Sequence, residues 1–457
     1  MTVHKKHTAL LIVPVLALFA AGFVLGAQRS FKGKIPGRSI SPRTGRSVDE
    51  RTGFRAGALR YAPGQVMVKF KPALSEPLLE ATSKAYGLEK LDRIPVLEIY
   101  KYRVPVSVSV EEVVQALRRN PDVEYAEPNY AARLAASPND TFFKVQYALS
   151  NTGQTIGTSG PAGTSGDDIQ ALEAWDETTG SAEVTIAVID TGVDLLHPDL
   201  KAKIKSAGRD FVNNDNDATD DNGHGTMVAG IAAADTNNRA GIAGVAWNCR
   251  ILPVKVIDAD GNGFYDRIVS GIRWAVDNGA TVINMSIGGE DTADILRDAV
   301  RYAHDKGVVV CAASGNEGSS VLYPAAYDAY VLAVAATDYN DTRPTWSNPG
   351  PQVDVAAPGV RIACPVPTWF WAANGGSSED EPYAFADGTS MASPHAAGLA
   401  ALIAGLKPDL DADSVMDVIR YSSDDVNSRS KSGKDDDIGY GRINMTKALV
   451  PIKITAR

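Results

Sequence analysis

The 457-residue sequence predicts an α/β protein with a doubly wound parallel sheet, preceded by a small α+β unit of ferredoxin-like type. Three observations carry that expectation. Between about Ala135 and Leu449, apolar runs rich in Val and Ile alternate with stretches of helical period. The runs are continuous rather than alternating, the mark of strands covered on both faces. Ahead of them, Tyr61 to Leu134 shows strand and helix patterns on a smaller scale. Charge divides the chain in the same place. Residues 1–134 hold 21 basic and 12 acidic side chains and the remainder 24 and 43, within a net charge of -10. Such a split suggests separate segments.

The elements follow in order. Residues 1–27 read as an export signal: MTVHKK is positive, and Thr8 to Ala27 carries no charge. Ala27 suits the position before a cut, whereas Leu25 is large for its place. The run is also nearly the length of a membrane span, so a secreted protein has an N-terminal membrane anchor as its alternative. Residues 28–60, rich in Arg, Gly, Ser and Pro, read as a disordered basic linker. In residues 61–134, QVMVKFK, PVLEIYKYRV and DVEYAEPNY read as strands, the middle one open to splitting in two. SEPLLEATSKAYG and SVEEVVQALRRNPD read as helices, the second capped by Ser109 with Glu112 three residues on. In residues 135–450, VTIAVID, RILPVKVID, ATVINMSI, GVVVCAAS and YVLAVAATD read as strands. YDRIVSGIRWAVDNG and TADILRDAVRYAHDKG read as helices between them. GLAALIAGL, apolar nearly all round, reads as a buried helix. Residues 451–457 are a short tail.

Composition is that of a globular protein, 44% hydrophobic and 22% charged. The acidic body is a poor nucleic-acid binder and suits hard cations. Cys249, Cys311 and Cys364 lack the spacing of a zinc site, and one disulfide among them stays open.

Four stretches carry chemistry. VIDTGVDLLHPDL puts Asp190 at the C-terminal end of a strand, where open parallel sheets gather ligands; alone, it caps a turn equally well. NGHGTMVAG puts His224 between glycines at a helix start, where a lone histidine is usually a cap or surface residue. SGNEG ends a strand at Asn316, either a turn former or an amide aimed at an oxyanion. DGTSMASPHAAG puts Ser390 at the start of the buried helix, either a cap or a nucleophile. Together they place Asp, His, Asn and Ser on one sheet edge. The order Asp…His…Ser excludes a lipase-like hydrolase, which needs a GxSxG elbow and Ser before His.

On these four motifs the region from about Pro138 to Leu449 resembles the subtilisin-like serine proteases (subtilases), in particular their thermitase-like branch. The unit before it resembles a subtilase propeptide. The resemblance implies an endopeptidase in which Asp190 orients His224, His224 is base and then acid, and Ser390 is the nucleophile. Asn316 and the Ser390 N–H would form the oxyanion hole, with His395 structural. Substrate would be an extended polypeptide paired with two edge segments, Ser286, Ile287, Gly288, Gly289 and Gly261, Asn262, Gly263. The primary pocket would be lined by Ala312, Ala313, Ser314 and Gly315 with the first segment. No acid is evident there, so a large apolar side chain is expected. Two departures stand out: Met227 where the family often has a second histidine, and Asp387 where a small or neutral residue is commoner. Trp369, Phe370 and Trp371 lie in a segment longer than the family's usual one. The resemblance also implies calcium at two places. One collects Asp140, Asp199 and Asn238 side chains with Asp235, Ala240 and Ile242 carbonyls. The other is DFVNNDNDATDD, with Asp210, Asp215 and Asp217. The propeptide is expected to assist folding and to inhibit until cut near residues 130–138. The enzyme is expected to be a monomer, and to meet a membrane only if its leader is uncleaved.

Overall fold

The structure is a computed structural model describing residues 11–12, 61–72, 74–130, 137–157, 160–374, 382–427 and 429–450. The export signal, apart from a two-residue strand β1 (Leu11–Ile12), lies outside the described residues, as do the linker, most of the processing region and the tail. The remainder forms two compact units, one within 54–135 and one from 136 onward.

The small unit runs β2 (Tyr61–Phe70), α1 (Glu76–Ala85), β3 (Glu89–Ile94), β4 (Ile99–Arg103), α2 (Val110–Arg118) and β5 (Val123–Tyr130). Its antiparallel sheet has the order β3-β4-β2-β5. Val66, Val68 and Phe70 alternate inward along β2, and Val110, Val113, Val114 and Leu117 form the facing stripe of α2. Ser109 and Glu112 make the expected capping box. Two strands stand where one was expected, but only β4 falls within PVLEIYKYRV: β3 precedes it, and Pro95 to Glu98, with Pro95 lacking an N–H and Glu98 at a left-handed φ of 53°, form the turn between them.

The large unit holds α3 (Ala171–Ala174), β6 (Thr185–Asp190), β7 (Arg209–Asp210), α4 (His224–Ala233), β8 (Arg250–Lys255), α5 (Tyr265–Asp277), β9 (Val282–Met285), α6 (Asp294–Asp305), β10 (Val309–Ala313), β11 (Val331–Thr337) and β12 (Val355–Pro358). There follow β13 (Ile362–Pro365), α7 (Thr368–Ala373), β14 (Tyr383–Ala386), α8 (Thr389–Leu406), α9 (Ala412–Ser422) and α10 (Met445–Leu449). Seven strands make one parallel sheet in the order β12-β11-β10-β9-β6-β8-β7. Ile268 and Ile272 of α5 and Leu296 and Val300 of α6 share one core with Ala187, Ile189, Leu252 and Val254 of the sheet. Every residue of β6 is buried, which explains its unbroken apolar run. α8 is buried from Thr389 through Ile403.

The next strand after β6, other than the edge strand β7, is β8 on one side, and β9 then falls on the other. The chain thus reverses direction across the sheet at β6, and the crevice beyond its carboxyl end is where such sheets bind ligands. Asp190 is the last residue of that strand. All three cysteines are buried free thiols, so the disulfide left open by the sequence is not formed. Among the described residues no helix is long and apolar enough to cross a membrane.

Candidate active site

Asp190 is fully buried, and its Oδ1 accepts the Thr191 N–H and faces His224 Nδ1, each at 2.8 Å. His224 opens α4 behind Gly223. A second buried carboxylate, Asp220, builds the loop that delivers it. Oδ1 accepts from Thr191 Oγ1 (2.8 Å), Asn222 N (3.0 Å) and Gly223 N (2.8 Å). Oδ2 accepts from Thr226 N (3.0 Å) and Thr226 Oγ1 (2.6 Å). Sequence reasoning missed Asp220, because an acid in the polar run TDDNG reads as a solvated turn. Burial works against a charged His224, but the charge and hydrogen bond of Asp190, with Asp220 behind, outweigh it and raise the imidazole pKa above its ordinary value.

Ser390 is the second residue of α8, at the positive end of the helix dipole. Pro394, the sixth residue, has no N–H, so the Ser390 carbonyl has no partner four residues on. Ser286 Oγ donates to that carbonyl at 2.8 Å, accepts from Asn284 Nδ2 at 2.9 Å, and Asn284 Oδ1 accepts from Ser393 Oγ at 2.8 Å. This buried chain ties the end of β9 to the start of α8. Asn316 follows β10, and its Oδ1 accepts both Thr389 N (2.8 Å) and Thr389 Oγ1 (2.9 Å). Both donors claim the oxygen, which turns Nδ2 toward Gly388. A Cβ placed on Gly388 would stand 2.9 Å from Ser390 Oγ and 3.6 Å from both Asn316 Nδ2 and Ser390 N. Glycine keeps that space open between two donors and a hydroxyl.

Asp190, His224, Asn316 and Ser390 line one cleft of about 460 Å³. Ser286, Ile287, Gly288 and Gly289 line it as well. Ile287 and Gly288 lie between the last paired residue of β9 and the Gly289–Tyr323 bridge, outside the ladders. Of the other edge segment, Gly261 lines the cleft. Asn262 and Gly263 instead close a turn, the Asn262 carbonyl accepting Asp258 N and Gly263 bridging Ile257. Ala313 and Gly315 line the cleft and Ala312 and Ser314 do not, the pleat of β10 carrying Ala312 to the opposite face from Ala313. The lining of the whole cleft also includes Glu290 and Glu317, each within two residues of one of the two runs expected to form the primary pocket. Glu317 Oε2 accepts from Asn316 N and Asn348 Nδ2, each at 2.9 Å. Asp387 lines the cleft too, with a carboxylate oxygen 2.5 Å from the Arg361 N–H. His395 is buried, its Nδ1 2.9 Å from the Met391 carbonyl, and burial lowers its pKa to about 4.

At the first expected metal place, Asp140 and Asp199 are both buried. Asp199 Oδ2 accepts Ile242 N at 3.0 Å, its Oδ1 lies 2.6 Å from Asn238 Nδ2, and Asp140 Oδ1 is buried without a hydrogen-bond partner. Burial raises Asp199 to about 8 and Asp140 to about 6. Asp140 Oδ1, beside a second buried carboxylate, is the oxygen left without a donor and the one that would suit a hard cation; Asp140 Oδ2 accepts Asn237 N (3.0 Å) and Asn238 Oδ1 accepts Ala240 N (2.7 Å). The second place differs. Asp210 accepts from Val212 N, Asn213 N and Asn213 Nδ2, Asp215 from Asp217 N, and Asp217 from Thr219 N and Oγ1. Asp215 and Asp217 are exposed, and with Asp210 they cap turns of their own loop, so no buried, donor-less carboxylate oxygen there calls for a cation. Among the described residues no three His, Cys, Asp or Glu side chains cluster as a metal group.

The chain is similar to known proteins over most of its length. Residues 181–441 match the subtilase family model, and residues 51–129 match the fervidolysin N-terminal prodomain. A thermophilic serine proteinase from a Bacillus species (strain AK1) is 42% identical over 85% of this chain and 88% of its own length. Thermitase of Thermoactinomyces vulgaris is 43% identical over 62% of this chain and 93% of its own. Among solved structures, a protease from Pseudoalteromonas arctica superposes with a TM-score of 0.58 at 30% identity, covering 69% of this chain and 99% of that one.

Proposed function

Because the chain belongs to the subtilase family of serine endopeptidases and carries a fervidolysin-like prodomain, we propose that it is an exported, self-processing zymogen that cleaves polypeptides through Asp190, His224 and Ser390. The observation that carries this reading is the 2.8 Å contact of Asp190 Oδ1 with His224 Nδ1 in the cleft that Ser390 and Asn316 also line.

That contact assigns the Nδ1 proton to the Asp190 side and leaves Nε2 free to act as base. His224 takes the Ser390 proton as Oγ attacks the scissile carbonyl, and buried Asp190 stabilises the imidazolium. The oxyanion forms where the Asn316 amide and the Ser390 N–H converge, in the space that Gly388 keeps open. His224 then protonates the departing amine, and water repeats the sequence on the acyl-enzyme. Ile287, Leu322 and Trp346 supply apolar walls for a large side chain, and Glu317 offers a basic one a partner. Calcium at the first expected place would be held by the Asp140 and Asp199 side chains, with Asn238 and the Asp235, Ala240 and Ile242 carbonyls completing the set, and would stabilise the fold without taking part in the chemistry. The prodomain assists folding of a slow-forming non-local sheet and inhibits until it is removed. Export rests on the charged start and apolar run of residues 1–27.

The test compares the parent with Ser390→Ala by gel and intact mass, then assays both on casein with and without a serine-directed inhibitor. Loss of the N-terminal segment and casein digestion by the parent alone is expected. A parent freed of its prodomain that leaves casein intact with calcium present would overturn the reading.

A further inference from the structure

The segment between β13 and β14 contains α7, which the reaction above does not use. It is fastened beside the loop that delivers His224. Thr368 N and Oγ1 both donate to Asp194 Oδ2 at 2.8 Å. Trp369 Nε1 donates to the main-chain carbonyl of Asp220 at 2.8 Å. A Cβ placed on Gly223 would stand 3.4 Å from Pro367 Cδ, so the residue before His224 and the entry to α7 nearly touch. Trp371 is buried beneath. Trp369 nonetheless stays 43% exposed, set edge-on to Phe370 with ring centroids 5.9 Å apart. An indole held by its N–H and partly exposed is a rigid apolar surface.

The chemistry decides which half of a substrate meets that surface. The acyl half lies along Ser286–Gly289 and Gly261. The leaving half departs past His224, which protonates its amine. Asn222 lines the cleft two residues after Asp220, whose carbonyl holds the indole, so Trp369 stands just outside the cleft lining at its His224 end, on the leaving side. We propose that Trp369, backed by Phe370, is a specificity determinant for the leaving half of the polypeptide, favouring an apolar side chain within the first few residues after the cleaved bond. This rests on the protease reading above.

The test uses mature enzyme and quenched peptides with one shared acyl half. Their leaving halves carry Leu or Phe, or else Gly or Asp, at those positions. An anilide of the same acyl half, with no residue after the bond, normalises for general damage. The parent is expected to prefer the apolar leaving halves in kcat/KM by about tenfold. Trp369→Ala should abolish most of that ratio, and Trp369→Phe, which keeps a ring, should retain it in part. A parent without the preference overturns the proposal with no variant needed. A preference that survives Trp369→Ala overturns it as well, whatever happens to the anilide rate. A parent that leaves the anilide intact points instead to failure of the protease reading, and this proposal falls with it.

Discussion

At the scale of single residues, the site is a set of side chains held by others that do no chemistry. Asp220 is the clearest case: five donors converge on one buried carboxylate, and they include both Thr191, next to Asp190, and the backbone that opens α4. Its charge also acts on His224. The base works only when neutral, so a raised His224 pKa places the acid limb of kcat/KM above the ordinary histidine value of about 6.5. Removing the Asp220 charge disfavours the imidazolium, and Asp220→Asn should shift that limb to lower pH. Asparagine retains an oxygen for the loop donors, so some activity should survive to be titrated. An acid limb at the same pH in both proteins would show that Asp220 does not reach His224 electrostatically. The sequence named Asp190, His224, Asn316 and Ser390 because each sits in a motif beside glycines at an element end. It did not name Asp220 or Glu317, because burial of a carboxylate depends on contacts that residue type and local pattern do not carry. Which of Ala312 and Ala313 lines the cleft was likewise a matter of pleat.

At the scale of elements, strand runs and helix periods were legible because burial on both faces leaves an unbroken apolar signature, as in β6 and α8. The short pieces β7, β12, β13, β14 and α7 were not, since two to six residues hold too little pattern. What positions the site is the junction of elements rather than any one of them. Gly225, the second residue of α4, lies against the turn after β6: a Cβ there would stand 2.0 Å from the Gly192 carbonyl oxygen and 3.1 Å from Asp190 Cβ. Neither backbone can yield without moving His224 relative to Asp190. Gly225→Ala, made in an inactive Ser390→Ala background to prevent autolysis, should therefore lose on the order of 2–3 kcal/mol. Thermal unfolding reads that loss, and an unchanged midpoint would mean that α4 and the turn can slide apart freely.

At the scale of the whole molecule, the acidic excess and the buried carboxylates belong to one question, namely what balances them. Asp199 and Asp140 have pKa values raised to about 8 and about 6, chiefly by burial, with the Asp140 charge adding to the shift of Asp199 and the Asp235 charge to that of Asp140. In the unfolded chain both would titrate near 4. Between those values the folded state binds more protons than the unfolded one, so stability falls as pH rises from about 4 toward 8. A bound calcium ion removes that dependence by compensating the charge directly. The Ser390→Ala protein should thus lose about 5–10 °C of unfolding midpoint in EDTA at pH 8, as expected for a ligand held well above its Kd in a domain of this size. Excess calcium should restore it. Lowering the pH of the chelated protein to 6 should recover part of the loss, because protonation of Asp199 does some of the same work as the cation. Asp199→Asn should be insensitive to EDTA and should gain less than the parent on going to pH 6, where only Asp140 is left to titrate, and in EDTA at pH 8 it should be no less stable than the parent. A midpoint that ignores EDTA at pH 8 would count against calcium at this place. A midpoint that falls in EDTA equally in the parent and in Asp199→Asn would locate the cation elsewhere in the fold.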